Sequence, residues 1–223
     1  MKLINATPSP YGRKVAIALK EKSIPYEVQY DIPWIASTIV PEYSPLQQLP
    51  ILITDEGKNV YDSSYILDWL EIHYPTPPLL PSDADARAHE LLLRLLGERI
   101  AEFAQIIVFE VARPDPSTPW LDRQTRKVGT GLAELAKLIG DRAPAPQDAI
   151  TLGDIAAGCT LRMLDFIIER NYAASITQFN WRPLYPNLAA YAAALESRPS
   201  FLETQPVMFE LDLKDVVEEQ AAA

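Results

Sequence analysis

The tetrapeptide Ser9-Pro10-Tyr11-Gly12 is the segment of this sequence whose residue types and spacing point most directly to chemistry. It lies between a short apolar stretch that predicts a strand and a run of residues with helical spacing. In thiol–disulfide proteins a Cys-Pro-Tyr-Cys tetrapeptide occupies this kind of place, where the N-terminus of the helix stabilises a thiolate. Here serine and glycine replace both cysteines, so this segment cannot carry out dithiol exchange.

The same segment is suited to activating a thiol that belongs to another molecule. The Ser9 hydroxyl and the helix N-terminus would both favour a bound sulfur anion and lower its pKa from about 8.5. A depression of about two units corresponds to roughly 2.7 kcal/mol and makes the thiolate the major form at neutral pH. The alternative is that Ser9 only caps the helix ahead of Pro10, and the tetrapeptide alone does not decide between the two.

Two further segments have residues suited to binding a peptide-like molecule. Gln48-Leu49-Pro50-Ile51 begins a predicted buried strand, where a cis bond before Pro50 would turn the backbone N–H and C=O of Leu49 outwards. Asp62 and Ser63 precede the next helix, where a hydroxyl and free N–H groups suit a carboxylate. Taken singly, an ordinary trans proline at a strand edge and a simple helix cap are the alternatives.

The N-terminal part of the chain must position these segments, and its pattern predicts one mixed sheet with helices. Residues 2–5, 26–30 and 50–54 predict strands, and a turn at residues 55–58 predicts a hairpin with a short return strand. Helical spacing follows the first strand, and a second helix begins at Asp62. The order strand, helix, strand, hairpin, helix is most simply satisfied by a single mixed sheet.

The pattern changes at the proline-rich segment Thr76-Pro77-Pro78-Leu79-Leu80-Pro81, which cannot continue a helix and predicts a stiff linker. Beyond it the spacing is helical throughout, including one helix of about 28 residues. The apolar stripe expected on that helix consists of Leu92, Leu96, Ile100, Phe103, Ile107 and Val111. We therefore divide the chain into an α/β domain at residues 1–75, a linker at 76–82 and an all-helical domain at 83–223. The acidic end of the helical domain, from about residue 203, is expected to be frayed and solvated.

Composition excludes several classes of function. The 223 residues include 20 Lys and Arg against 30 Asp and Glu, a net charge of −10, which argues against partners such as nucleic acid or an anionic membrane. The single cysteine, Cys159, excludes an internal disulfide and a cysteine-based metal cluster, and it suits a reducing compartment. His73 and His89 are too few to suggest a metal site. With no apolar run long enough to span a membrane and no signal-peptide core, we expect a cytoplasmic protein.

Four segments taken together, in this order, resemble the cytosolic glutathione transferase family. They are Ser9-Pro10-Tyr11-Gly12-Arg13-Lys14-Val15, Leu49-Pro50-Ile51-Leu52, Asp62-Ser63-Ser64-Tyr65-Ile66-Leu67-Asp68-Trp69-Leu70 and Thr151-Leu152-Gly153-Asp154-Ile155-Ala156. They resemble the active-site segment of serine-type members, the cis-proline loop, the helix start that holds the γ-glutamyl group and the buried capping box. The resemblance implies a thioredoxin-like α/β domain followed by an all-α bundle, and a homodimer that conjugates glutathione to small hydrophobic electrophiles.

The resemblance also implies a role for each matched residue, with glutathione as co-substrate and no metal. Ser9 would donate a hydrogen bond to the glutathione sulfur and activate it. Leu49 would pair its backbone with the cysteinyl amide, next to a cis Pro50. Asp62 and Ser63 would bind the amino and carboxylate groups of the γ-glutamyl residue.

One departure from the family affects glutathione binding. Many members have Gly-Lys just before the Val-Pro or Ile-Pro pair of the cis-proline loop, whereas this chain has Gln47-Gln48. The Gln48 amide can donate a hydrogen bond to the glycyl carboxylate but offers no positive charge. A charge-assisted hydrogen bond is roughly twice as strong as a neutral one, so weak affinity for glutathione is expected.

The electrophile pocket is implied by the resemblance to lie between the first-domain loops and the long helix. The residues expected to form it are Tyr11, Trp34, Phe109 and Arg113. Phe103 is expected in the core, since it lies on the apolar stripe, and Cys159 is expected to be inert core. Arg13 and Lys14 are interpreted as solvated helix charges.

Two alternatives to a conjugating transferase remain open. The first is a binding or regulatory protein that keeps this fold without catalysis, which Gln48 favours and Ser9 disfavours. The second is a glutathione-dependent enzyme that cleaves ethers, removes halogens or reduces peroxides, since all of these reactions use the same thiolate.

Overall fold

The computed structural model describes residues 1–208, and the expectation of a frayed acidic tail falls mostly on residues 209–223, outside that range. The strands are β1 (Lys2–Asn5), β2 (Glu27–Tyr30), β3 (Ile51–Ile53) and β4 (Asn59–Val60). The helices are α1 (Pro10–Glu21), α2 (Val40–Tyr43), α3 (Ser63–His73), α4 (Ala84–Val111), α5 (Thr118–Ile139), α6 (Leu152–Glu169), α7 (Pro186–Glu196) and α8 (Pro199–Leu202), with a 3-10 helix at Thr177–Phe179.

The four strands form one mixed sheet in the order β2-β1-β3-β4, as the sequence predicted. β1 pairs in parallel with β2 and antiparallel with β3, and β3 and β4 form the predicted hairpin. Apolar residues of the sheet and of helices α1 and α3 share one core, to which Leu3, Leu19, Leu52, Ile66 and Leu67 contribute fully buried side chains. β2 lies at the sheet edge, and its Val28 and Tyr30 side chains are exposed.

The all-helical half is built around α4 and α6, which pack closely against each other. A Cβ atom at Gly97 of α4 would lie 2.9 Å from the backbone carbon of Ala156 in α6, so only glycine permits this approach. The Thr160 hydroxyl of α6 donates a hydrogen bond of 2.8 Å to the Gly97 carbonyl and fixes the same contact. α5 packs against another side of α4, which therefore lies between two helices.

The length of α4 is as predicted, at 28 residues, but its buried face differs from the expected stripe. Leu92 is 41% exposed, whereas Leu93, Gly97 and Ala101 are buried. Because α5 and α6 contact α4 from two directions, the buried face is broader than one stripe and is rotated away from Leu92. The placement of Leu92 in the core was therefore wrong.

Buried ion pairs join the two halves of the chain. Arg13 of α1 donates to both carboxylate oxygens of Glu196 at 2.9 Å and to the carbonyls of Phe201 and Thr204. Arg13 is 4% exposed and Lys14 2% exposed, so the interpretation of these two residues as solvated helix charges was wrong. Their partners lie in the helical half, far away in sequence.

The proline-rich segment is held by Lys22 at the end of α1. Its buried ammonium donates to the carbonyls of Tyr74 and Pro77 at 2.7 and 2.8 Å and pairs with Glu71 at 2.6 Å. No helix or strand lies between α3 and α4, and the linker at residues 76–82 stays a prediction. Within residues 1–208, no helix is both long and apolar enough to cross a membrane.

Candidate active site

A cleft of about 470 Å³ lies where the N-terminal ends of α1 and α3 face helices α4 and α6. Nine of the ten residues predicted for the site line this cleft: Ser9, Tyr11, Trp34, Gln48, Leu49, Pro50, Asp62, Ser63 and Phe109. These residues come from five separate stretches of the chain. The cleft is therefore the candidate active site.

Ser9 is the N-cap of α1 and also faces the cleft. Pro10 occupies the first position of the helix, where its fixed φ and missing N–H cost nothing. The Ser9 Oγ accepts a hydrogen bond of 3.2 Å from the Gly12 N–H. Because the cap uses the oxygen as an acceptor, the hydroxyl proton remains available to donate into the cleft. The two readings of the tetrapeptide, cap and donor, are thus compatible.

Gly12 is required by a close contact beneath the first turn of α1. A Cβ atom at this position would lie 1.5 Å from the Oδ1 atom of Asn5. That oxygen is fixed, since it accepts a hydrogen bond of 2.8 Å from the Ala6 N–H. No side chain fits at position 12 while Asn5 keeps this conformation.

The segment before β3 presents free backbone groups to the cleft. The Leu49–Pro50 peptide bond is cis, which confirms the prediction for Pro50. Within the described part of the chain, the N–H and C=O of Leu49 have no hydrogen-bond partner. The neighbouring Gln48 is exposed, and its amide likewise makes no bond to another described residue. This edge offers one donor and one acceptor to an extended ligand.

Asp62 and Ser63 stand at the N-terminal end of α3. Asp62 caps the helix through a single oxygen, Oδ1, which accepts from the N–H groups of Ser64 and Tyr65 at 3.1 and 3.2 Å. Its Oδ2 atom is not used by the cap. Ser63 is 5% exposed and lines the cleft, so a ligand reaches its hydroxyl only from there.

Lys14 is a cleft residue that the sequence analysis missed. Its ammonium donates to the Ser64 hydroxyl at 3.1 Å and pairs with Glu98 of α4, and the Ser64 hydroxyl donates to Glu98 at 2.9 Å. Burial lowers the pKa of Lys14, while the Glu98 carboxylate acts in the opposite direction. No local signal identifies Lys14, since Glu98 lies 84 residues further along the chain.

The other end of the cleft is apolar and partly aromatic. The rings of Trp34 and Phe109 meet edge to face with their centroids 5.2 Å apart. Five of the further lining residues, all of which the sequence analysis missed, come from α4, from α6 or from the segment after α6: Val108, Met163, Phe166, Ile167 and Tyr172. Four of the five belong to α6 or follow it, and their apolar character made them indistinguishable from the buried core of that helix.

Arg113 is the predicted site residue that does not line the cleft, and its assignment to the pocket is corrected here. α4 ends at Val111, and the exposed Arg113 lies beyond that end, 3.9 Å from Glu110. Phe103 also lies outside the cleft lining and packs on the core, as expected, with the Lys127 ammonium 4.5 Å above its ring. Arg113 was placed in the pocket because it lies near the end of α4, but the helix ends before it and its side chain does not reach the cleft.

Cys159 lies in the core of α6 and not in the cleft. It is 2% exposed, and burial raises the pKa of its thiol to about 12. The prediction that this cysteine lies in the core is therefore confirmed, and its inertness stays a prediction. Among the residues that the structure describes, no group of three or more metal-ligating side chains is placed to hold a metal ion.

Comparison with known proteins identifies the family. The family model for the N-terminal domain of glutathione S-transferase matches residues 3–78, and that for the C-terminal domain matches residues 118–194. The chain is 31% identical to the uncharacterized GST-like protein YibF of Escherichia coli K12, over 92% of this chain and 98% of that one.

Solved structures agree over nearly the whole chain. A glutathione S-transferase from Methylobacterium radiotolerans in complex with glutathione sulfonate is 42% identical, with a TM-score of 0.86 over 95% of this chain and 97% of that one. One from Methylobacillus flagellatus with glutathione bound is 30% identical, with a TM-score of 0.82 over 92% and 99%. The mixed sheet with its helical second half, the family models and these relatives together establish that the chain belongs to the glutathione S-transferase family.

Proposed function

We propose that this protein is a glutathione S-transferase whose Ser9 hydroxyl donates a hydrogen bond to the thiolate of glutathione. The thiolate attacks the electrophilic carbon of a small hydrophobic compound, a carbon–sulfur bond forms, and a leaving group departs with the electron pair of its bond. The thiolate itself is the nucleophile, so the protein supplies no general base after ionisation. The observation that carries this proposal is the Ser9 oxygen, which is held by the Gly12 N–H with its proton free to point into the cleft.

The free polar groups of the cleft match the functional groups of a tripeptide. The unpaired N–H and C=O of Leu49 suit the backbone of the cysteinyl residue, in the manner of two extended strands. Oδ2 of Asp62 suits the γ-glutamyl ammonium, and the Ser63 hydroxyl suits the adjacent carboxylate. Bound in this orientation, the thiol lies next to Ser9 at the N-terminal end of α1.

The electrophile occupies the apolar end of the cleft. The edge-to-face pair of Trp34 and Phe109 favours aromatic or halogenated compounds that bury a flat apolar surface. Ether cleavage, dehalogenation and peroxide reduction remain alternatives within the same chemistry, because each begins with the same thiolate.

The Ser9 side chain provides the decisive test. Ser9→Ala removes both the cap and the donor, whereas Ser9→Asp keeps an acceptor for the Gly12 N–H and removes the donor. We expect both variants to lower kcat/KM for conjugation by about 10²-fold, as for loss of one preorganised donor to an anion. Only Ser9→Ala is expected to lower the melting temperature as well.

Ser117→Ala is the matched control, because Ser117 is an N-cap residue outside the cleft whose side chain makes no cap hydrogen bond. Unchanged conjugation in Ser9→Asp, with a glutathione thiolate that still ionises at neutral pH, would show that Ser9 is not the donor. Thiolate formation is followed by its ultraviolet absorbance in the binary complex.

A binding protein without catalysis is the second candidate, and Gln48 is the observation that favours it. The amide at this position gives the glycyl carboxylate of glutathione no cation. A protein of this kind would bind immobilised glutathione but would conjugate neither aryl nor alkyl halides. The same titrations and rate measurements on the unmodified protein distinguish the two candidates.

We further propose that the protein is a homodimer formed through helices α3 and α4. Tyr65 and Ile72 are 49% and 71% exposed on α3, and Leu91 and Leu95 are 39% and 46% exposed on α4. The Asp68–Arg94 ion pair, at 2.6 Å, links the two rows of side chains into one surface, which we call the α3–α4 face. Exposed apolar side chains on two helices joined in this way suit a second copy of the same chain in a self-complementary contact.

The proposed setting is the cytoplasm and the proposed role is detoxification. A single buried cysteine suits a reducing compartment. Conjugation to glutathione removes reactive electrophiles, and the apolar end of the cleft suits hydrophobic ones.

A further inference from the structure

Two neighbouring glutamines of the loop before β3, Gln47 and Gln48, have side chains without a partner. Both residues are exposed and both line the cleft. Within residues 1–208 neither side-chain amide makes a hydrogen bond to another residue. Each amide presents two N–H donors and a carbonyl acceptor. The pair therefore offers both kinds of hydrogen-bonding group to a ligand at the exposed edge of the cleft.

The backbone of Gln47 makes this residue type unexpected at its position. Its φ is 52°, in the left-handed region that glycine and asparagine adopt most readily. The Gln47 N–H donates a hydrogen bond of 3.1 Å to the Ser44 carbonyl, which closes a turn of the loop. Glycine would satisfy this turn with less strain, since the turn uses the backbone alone. The side chain of Gln47 therefore has no structural task among the described residues.

The proposed binding mode determines which part of a tripeptide meets the two glutamines. Asp62 and Ser63 take the γ-glutamyl end and Leu49 takes the cysteinyl backbone, so the glycyl end lies on the side of Leu49 away from α3. The part of the cleft on that side is formed by residues of the segments that precede β3, none of which carries a charge: Pro33, Trp34, Ser44, Leu46, Gln47 and Gln48.

The cations of the cleft are already used elsewhere. Among the described residues that line it, the basic ones are Lys14 and Arg99, which pair with Glu98 and Glu102 of α4. A glycyl carboxylate at the two glutamines would therefore meet neutral amides. It can accept from their N–H groups but has nothing to donate to their carbonyl oxygens. A carboxamide in the same place donates and accepts, so it satisfies both halves of a glutamine amide.

We propose that Gln47 and Gln48 bind a C-terminal carboxamide, and that the preferred thiol co-substrate is glutathione whose glycyl carboxyl group is a primary amide. This inference rests on the proposed function, because it requires the tripeptide to lie along Leu49 with its sulfur at Ser9. It adds the chemical form of the co-substrate. The carbon–sulfur bond forms at the other end of the ligand, so the amide takes no part in the reaction.

The test compares glutathione with its glycine amide on the unmodified protein. Titration calorimetry at about 0.15 M salt screens long-range charge effects. We expect the amide to have a Kd roughly 2- to 10-fold lower, the effect of one additional net hydrogen bond. In conjugation of benzyl chloride, KM for the thiol should follow this difference and kcat should be the same for both thiols, because their sulfur ends are identical.

Three substitutions test whether the two glutamines are responsible. Gln48→Met keeps the length of the side chain without its polar atoms and should lower the Kd ratio, acid over amide, towards one. Gln48→Lys should reverse the preference, since its ammonium favours the carboxylate. Gln47→Gly should also lower the ratio, and it should not destabilise the fold, because glycine adopts this φ readily.

Gln147→Met is the matched control, because Gln147 is an exposed loop residue outside the cleft, and it should leave the ratio unchanged. Equal or weaker binding of the amide by the unmodified protein would overturn this inference alone, provided that glutathione is conjugated. A preference for the amide that persists in Gln48→Met and Gln47→Gly would overturn the assignment to the two glutamines. If neither thiol is conjugated, the proposed function fails as well.

Discussion

Ser9 and Asp62 each cap a helix with one side-chain oxygen and still have a polar atom that the cap does not use. Ser9 accepts from the Gly12 N–H and keeps its proton, and Asp62 accepts two N–H groups with Oδ1 and keeps Oδ2. Because capping is a local interaction, these residues were recognisable from the sequence. The same residue types at a helix start are expected for a simple cap and for a ligand-binding residue. For this reason neither motif alone decided the function.

Gln48 is the residue at which a single substitution should improve the site. In Gln48→Lys an ammonium replaces an amide that has no partner among the described residues, and in the proposed binding mode the new charge faces the glycyl carboxylate of glutathione. We expect the Kd for glutathione, measured by titration calorimetry, to fall severalfold, since a charge-assisted hydrogen bond is about twice as strong as a neutral one.

The increase in glutathione affinity of Gln48→Lys should become smaller as salt is added, because salt screens an exposed ion pair. Gln147→Lys makes the same change of charge on an exposed loop residue outside the cleft and should leave the Kd unaltered. An equal gain in both variants would mean that net charge, not the glycyl carboxylate, is responsible.

Helix α4 illustrates what periodicity predicts and what it leaves undetermined. Its length followed from spacing and from the breaks on either side, whereas its buried face did not, because α5 and α6 cover it from two directions. The apolar residues of α6 that line the cleft were missed for a related reason. The helical spacing of apolar residues identifies side chains that are shielded from water. It does not tell whether a neighbouring helix or a ligand shields them.

The capping box of α6 is expected to be the most sensitive helix terminus. Asp154 is fully buried and accepts hydrogen bonds from the Tyr191 hydroxyl at 2.6 Å and from the Thr151 N–H at 3.0 Å, besides its pair with Arg142. Asp154→Ala leaves these donors unpaired and should lower the free energy of unfolding by about 3–5 kcal/mol. Thr151→Ala should cost about 1–2 kcal/mol.

Urea denaturation measures these differences. Ser117→Ala removes a cap residue whose side chain makes no cap bond and should change the unfolding free energy by less than about 0.5 kcal/mol. Comparable losses in Ser117→Ala and Asp154→Ala would contradict a special role for the buried box.

At the level of the whole chain, the least predictable contacts are the buried ion pairs between the two halves. Lys14 reaches Glu98, Arg13 reaches Glu196 at a separation of 183 residues, and both cations look like ordinary surface charges in sequence. Position along a helix says nothing about a partner that arrives from another domain. The fold class was predictable from local patterns, whereas the contacts by which the N-terminal half packs on the helical half were not.

Arg13 should contribute strongly to the stability of the contact between the two halves. Arg13→Gln removes the buried cation that pairs with the Glu196 carboxylate and donates to the Phe201 and Thr204 carbonyls, and we expect the unfolding free energy to fall by about 3–5 kcal/mol. Lys20→Gln is the matched control, because Lys20 also joins α1 to the C-terminal region, through Glu203, but in an exposed pair worth less than about 1 kcal/mol.

Limited proteolysis provides a second measurement for Arg13→Gln. Cleavage after residue 196 should accelerate in this variant and not in Lys20→Gln. If both variants unfold at the same urea concentration, the buried pair has no special weight.

The α3–α4 face predicts the response of the assembly to a single charge. In the proposed homodimer, Leu95→Glu places a carboxylate in both halves of the self-complementary contact, and we expect the molar mass in light scattering to halve at micromolar concentration. Leu184→Glu makes a similar change at a residue that is 61% exposed and lies outside this face, and the mass should stay constant. A monomeric unmodified protein would refute the dimer and leave the cleft chemistry unaffected.

The side chain of Asn5 beneath Gly12 has a consequence for the engineering of this helix start. Its Oδ1 atom lies 1.5 Å from where a Cβ of residue 12 would stand, so a Cys-Pro-Tyr-Cys tetrapeptide cannot be built at positions 9–12 while Asn5 keeps this conformation. A cysteine at position 12 requires that Asn5 first be replaced by a smaller residue. One amide from the neighbouring strand therefore excludes a dithiol pair from this helix start.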